Sequence, residues 1–180
     1  MMKKQKIDFE ARFWASYSGT CPLRVFDEFF TSCTLRENKD RLFKMINFAI
    51  KPKVFLQRDP SLVLHFYVSL KSFLRASYVV MAKSKKWILK EAPESVSQVM
   101  QSSLFDDEYI NPFLVFERAF ADFSLQEFED FLTEGAYYSL GPYNDHPQGN
   151  MISPFLHLQK MLDAAQLIQE RGMEKIMTKR

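Results

Sequence analysis

The stretch SLVLHFYVSLKSFLRASYVVMA, residues 61–82, constrains the fold more than any other part of the chain. At 1.5 Å per residue it is long enough to cross a bilayer, but His65, Lys71 and Arg75 interrupt it. Each Lys or Arg near the centre of a membrane helix costs about 2.5 to 3.5 kcal/mol, so the run reads as a buried helix of a soluble protein with no membrane partner. Leu62, Phe66, Leu70, Phe73 and Met81 occupy one flank, and Val63, Tyr67, Leu74 and Tyr78 the other. A helix that is apolar on most sides needs neighbours around it. The expected fold is all-α, a single-domain bundle of about six helices packed around 61–82.

The rest of the chain supplies those neighbours. Three starts place a capping side chain before a proline and then an apolar run: Asp59-Pro60, Asn111-Pro112 and Ser153-Pro154. Thr34-x-x-Glu37 and Ser124-x-x-Glu127 have the form of capping boxes, in which two side chains satisfy each other's backbone donors. Apolar stripes follow: Leu42, Met45, Ile46, Ala49; Phe113, Phe116, Phe120, Phe123; Leu125, Phe128, Leu132, Ala136; and Phe155, Leu158, Leu162, Ala165, Ile168. Arg171 and Gly172 close the last of these. A further helix is expected at 22–33 and a short one within 83–110, with an irregular segment at 1–20 and a frayed tail at 173–180. The Pro-Phe-Leu shared by 111–123 and 153–165 reads as common cap chemistry rather than a repeat, since solenoids need three copies or more. Eighteen Phe imply a bulky aromatic core, and only five Gly leave few positions for tight β-turns.

Charge is unevenly distributed. Residues 1–90 hold 18 Lys and Arg against 7 Asp and Glu, whereas residues 91–180 hold 6 against 15. The halves therefore carry about +11 and −9, so the net charge of +2 conceals a strong asymmetry. It admits internal neutralisation, a protein partner or homo-oligomer, or nucleic acid bound by the basic half. For nucleic acid the candidate is KSKKWILK: Lys83, Lys85, Lys86 and Lys90 neutralise phosphates while Trp87 stacks on a base. The competing view has Trp87 and Ile88 docked on the core with the lysines in water.

Catalytic chemistry is sparse. No G-x-S-x-G, glycine-rich phosphate loop, H-E-x-x-H or E-x-x-H pair occurs, and no catalytic residue, metal ligand set or cofactor is assigned. Cys21 and Cys33 would lie about 18 Å apart across one helix, too far for a disulfide. Glu127, Asp130 and Glu134 share a helical face and, like the DDE at 106–108, read as solvated acids. His65 reads as a satisfied, half-buried histidine on the only polar stripe of its helix. His157 faces away from the main stripe and reaches towards the preceding loop.

That loop, at 139–152, is longer than the 2 to 8 residues usual between bundle helices. Tyr138, Tyr143, Asp145, His146 and His157 form its candidate ligand or partner site, with Gln148 and Asn150 as further polar groups. The leading functional expectation is a non-enzymatic protein-interaction or regulatory module. Nucleic-acid binding is the first alternative, and a small-molecule enzyme or ligand-binding protein using 139–152 the second. With no apolar leader at the start, MMKKQKIDFEARFW, a cytoplasmic protein is expected.

Overall fold

A computed structural model describes residues 7–51, 60–90, 103–141 and 146–175. The described chain is an all-α bundle. Its elements are α1 (Pro22–Ser32), α2 (Leu35–Ile50), α3 (Ser61–Ala82), β1 (Trp87–Leu89), α4 (Asp106–Ile110), α5 (Phe113–Asp122), α6 (Leu125–Leu140), α7 (Ile152–Arg171) and β2 (Met173–Lys175). No described helix is long and apolar enough to cross a membrane.

Helix α3 packs among α1, α5 and α6, as its all-round apolarity requires. Its Phe73 ring lies 5.2 Å from Phe26 and 4.9 Å from Phe29, and Phe116 stacks 6.3 Å from Phe26. The phenylalanines thus knit α1, α3 and α5 into one aromatic core. Ser69, Ser72 and Ser77 are buried inside α3 because each hydroxyl donates to a carbonyl one turn back. Ser72 Oγ also accepts from Trp14 Nε1 at 2.8 Å, which fastens the irregular N-terminal segment to α3.

Helix α7 shares the centre. The sequence predicts one stripe for it, but residues 161–168 are buried on every side. Ala164 and Ala165 let neighbours approach closely, and Asp163 is buried because Lys39 Nζ donates to it at 2.8 Å and Ser103 donates through both N–H and Oγ at 3.0 Å. Helices α2 and α6 also come close, since a Cβ on Gly135 would stand 2.8 Å from Ile46 Cδ1.

Both predicted capping boxes are present, at Thr34/Glu37 and Ser124/Glu127. The proline starts differ from expectation. Asn150 Oδ1 accepts from the N–H groups of Ile152 and Ser153, so Asn150, not Ser153, caps α7. Asn111 contributes its carbonyl to Leu114 N–H and makes no side-chain bond to a described residue. Asp59 lies outside the described residues. His65 is exposed rather than half-buried, as are Ser61, Leu62 and Leu64 beside it in the first turn of α3.

Residues 173–175, expected to fray, form β2 instead. It pairs antiparallel with β1, with Ile88 opposite Glu174 and Leu89 opposite Met173. Gly172 makes the turn possible: its φ of 76° and ψ of 158° suit glycine almost alone, and its carbonyl accepts from Lys90 N–H at 3.1 Å.

Part of the charge asymmetry is met within the fold. Arg75 of α3 holds Glu129 of α6 through Nε at 2.6 Å and Glu10 through Nη1 at 2.8 Å, with Lys71 3.6 Å from Glu129. Lys39–Asp163 and Lys90–Glu174 also join the halves. Burial alone would make the Arg75 guanidinium easier to deprotonate, but Glu129 and Glu10 more than reverse this and hold it firmly charged.

Candidate functional site

A groove of about 450 Å³ lies between α4, α5 and α7. Its lining combines Phe105, Val115, Ala121 and Leu156 with Glu108, Arg118, Asp122, Ser153, His157 and Lys160. Proline starts and caps set its geometry. Pro112 begins α5 immediately after α4 ends, and Pro154 sits in the first turn of α7, where its missing N–H costs little.

Glu108 lies beneath the groove with its side chain 2 % exposed. It accepts from Phe105 N–H at 2.9 Å, Arg118 Nη1 at 2.7 Å and Lys160 Nζ at 2.8 Å. Burial by itself pushes this carboxyl up. The bonds from Lys160, Phe105 and Arg118 together outweigh burial and bring it below the ordinary glutamate range. Asp107, on the outside, is lowered chiefly by Arg118, whose Nη2 lies 2.6 Å away. Lys160 also sits 3.6 Å above the Phe105 ring, a cation–π contact that holds the ring at the edge of the groove.

The acids at 106–108 therefore differ from the solvated cluster the sequence suggests. Asp106 is exposed, Asp107 is held by Arg118, and Glu108 is an interior anchor for α4. The signal that could have found Glu108 is its place three residues after Phe105, where a carboxylate reaches back to the preceding N–H.

His157 differs too. Its ring packs edge-on against Phe123 and Phe128, and Nε2 lies 3.1 Å from Asp122 Oδ2. It points to the junction of α5 and α6, not to the preceding loop. Tyr138 is half-buried against the core, edge-on to Tyr137, and His146 is exposed. The groove that His157 lines holds neither of them. Tyr143 and Asp145 lie outside the described residues. Gln148 Nε2 donates to the His146 carbonyl, and Asn150 serves as the cap.

In the basic segment the structure separates two residues expected to dock together. Trp87 packs against the core, whereas Ile88 is 58 % exposed. Lys83, Lys85 and Lys86 are exposed, and Lys90 pairs with Glu174 at 3.1 Å.

Beyond the groove the apolar surface continues. Ile152 and Leu156, four residues apart on α7, are 54 % and 56 % exposed. Phe155 beside them lies 6.4 Å from Phe43 of α2, itself 54 % exposed, and Phe105 across the groove is 64 % exposed. Helical spacing and ring contact link the first four of these side chains, and the groove that Leu156 and Phe105 both line brings in the fifth. Of this group the helical stripe predicts only Phe155, and that ring does pack against the core while remaining half-exposed. The chain matches no family model, no curated protein and no solved structure.

Proposed function

We infer that the chain is a non-enzymatic helical module that binds another protein through the apolar surface of Phe43, Phe105, Ile152, Phe155 and Leu156. The observation that supports this is the continuity of that surface, where the other described phenylalanines, Phe13 apart, are buried or half-buried. Isolated exposed apolar residues are ordinary, but contiguous patches of a few hundred Å² on a monomer are commonly contact sites.

The polar groups of the groove argue for binding rather than catalysis. Glu108 has three donors, Arg118 has two carboxylates, and His157 has Asp122. Ser153 lies one turn before His157 but makes no hydrogen bond with it, so no nucleophile and base are paired. A groove whose charges are already matched favours an apolar partner surface, because an added charge would lose hydration without gaining a counterion.

The test is the double variant Ile152→Asp, Leu156→Asp. Both side chains are more than half exposed, so the variant is expected to unfold at the same urea concentration as the parent. Sedimentation velocity reports self-association, and affinity copurification with mass spectrometry reports other partners. The variant is expected to lose the association that the parent shows. A parent with no association at all, or a variant that keeps every one, would end this reading.

A further inference from the structure

Among the described residues Arg36, Arg41 and Lys51 on or just after α2 make no ion pair, but unpaired lysines crowd together at only one other turn. Arg12, Arg24, Lys39, Lys44, Lys71, Arg75 and Lys90 each have a carboxylate partner. Lys83, Lys85 and Lys86 have none among the described residues, and they occupy a single turn where α3 gives way to β1. The carbonyl end of α3 accounts for attraction of one lysine, but not for three side chains in water. Two acids on elements near this turn make no ion pair with these lysines. Glu117 accepts from Ser84 Oγ at 3.1 Å, and Glu174 pairs with Lys90.

The strand that follows sorts its side chains by the two-residue period of β structure. Trp87 and Leu89 turn inward against the core, and Ile88 turns outward on the strand that follows the lysines, opposite the Glu174 that Lys90 neutralises. This alternation discriminates between anionic partners. Single-stranded nucleic acid binds through exposed rings on which bases stack, and the only ring of this segment is packed against the core. An exposed aliphatic side chain just after a turn of three lysines matches a bilayer surface instead: the lysines meet acidic headgroups while the isoleucine reaches the acyl boundary.

We propose that Lys83, Lys85, Lys86 and Ile88 form a contact site for the surface of a membrane rich in anionic phospholipid. The contact lies on the surface and crosses nothing. It rests on different residues from the protein-binding surface and stands or falls separately. Each lysine near such a surface raises partitioning roughly fivefold, so three give about a hundredfold, reversible and sensitive to salt.

Cosedimentation of the purified chain with vesicles tests it. Phosphatidylcholine vesicles with about 30 % phosphatidylserine should bind the chain at about 0.05 M salt and release most of it at about 0.3 M, and pure phosphatidylcholine should bind none. Lys85→Glu with Lys86→Glu should weaken partitioning at least roughly twentyfold. Ile88→Ser should weaken it several-fold without changing the salt dependence, because it removes area and not charge. The Ile152→Asp, Leu156→Asp variant should bind vesicles like the parent. Equal binding to neutral vesicles, an unaffected lysine variant, or tighter binding to a single-stranded oligonucleotide than to acidic vesicles at the same salt would overturn the proposal.

Discussion

Glu108→Gln keeps the shape of the side chain and removes its charge, which isolates what the buried carboxylate does for α4. The variant leaves Lys160 and Arg118 without the group they converge on, 2.8 and 2.7 Å away. Removing one member of a fully buried pair costs about 3 to 5 kcal/mol. Here Lys160 is 22 % and Arg118 47 % exposed, and Arg118 keeps Asp107, so both cations recover part of their hydration. The expected loss is therefore about 2 kcal/mol. With a urea dependence near 2 kcal/mol per molar, the unfolding midpoint falls by about 1 M.

The pH dependence sharpens the test. Because the folded-state carboxyl lies below its ordinary value, its contribution is fully present above the unfolded value of about 4.3 and is lost as pH falls through the lower folded value. Protonated glutamate resembles glutamine, so the gap between parent and variant should close in that acid range. A midpoint shift under about 0.3 M at neutral pH would refute the reasoning, as would a gap that stays constant down to about pH 3.

Three other substitutions probe the frame. Gly135→Ala should cost about 1 kcal/mol by urea unfolding despite its better helix propensity, since the new methyl meets Ile46 Cδ1; Ile46→Val in the same chain should remove most of that penalty. Gly172→Ala should cost about 2 kcal/mol by the same measurement and speed hydrogen exchange at the Lys90 amide, whose acceptor is the Gly172 carbonyl. Ser124→Ala removes one arm of a capping box and should cost about 1 kcal/mol of stability, whereas Ser153→Ala, which removes no cap, should be nearly neutral.

What the sequence reveals here is what neighbours in the chain decide. The two capping boxes depend on residues three apart, and both form. The stripe of Leu42, Met45, Ile46 and Ala49 depends on helical period, and all four are buried. The α7 cap shows the limit of such cues: Asn150 and Ser153 are both capping residues ahead of an apolar run, and only the conformation of the intervening turn selects between them. Glu108 was illegible for a different reason. Its charged partners stand 10 and 52 residues away, so the run of three acids itself does not mark the buried one, and only its spacing from Phe105 hints at it. The apolar surface was hidden because Phe43, Ile152 and Leu156 read as ordinary helix content, and exposure is a property of what packs alongside. Ile88 turned outward because β1 pairs with β2, and a three-residue strand is too short to signal its period.

The cross-half ion pairs bear on how this protein can be divided. Arg75 finds Glu129 54 residues later, and Lys39 finds Asp163 124 residues later. A polypeptide ending near residue 90 would carry about +11 with its main counterions missing, so it should not hold this structure alone. A chain cut between residues 90 and 103 becomes two polyelectrolytes of opposite sign whose joint native state is the bundle. They should recombine from separate solutions quickly in dilute buffer and far more slowly as salt is added. That makes this junction a natural point for fission into a two-piece protein assembled by charge.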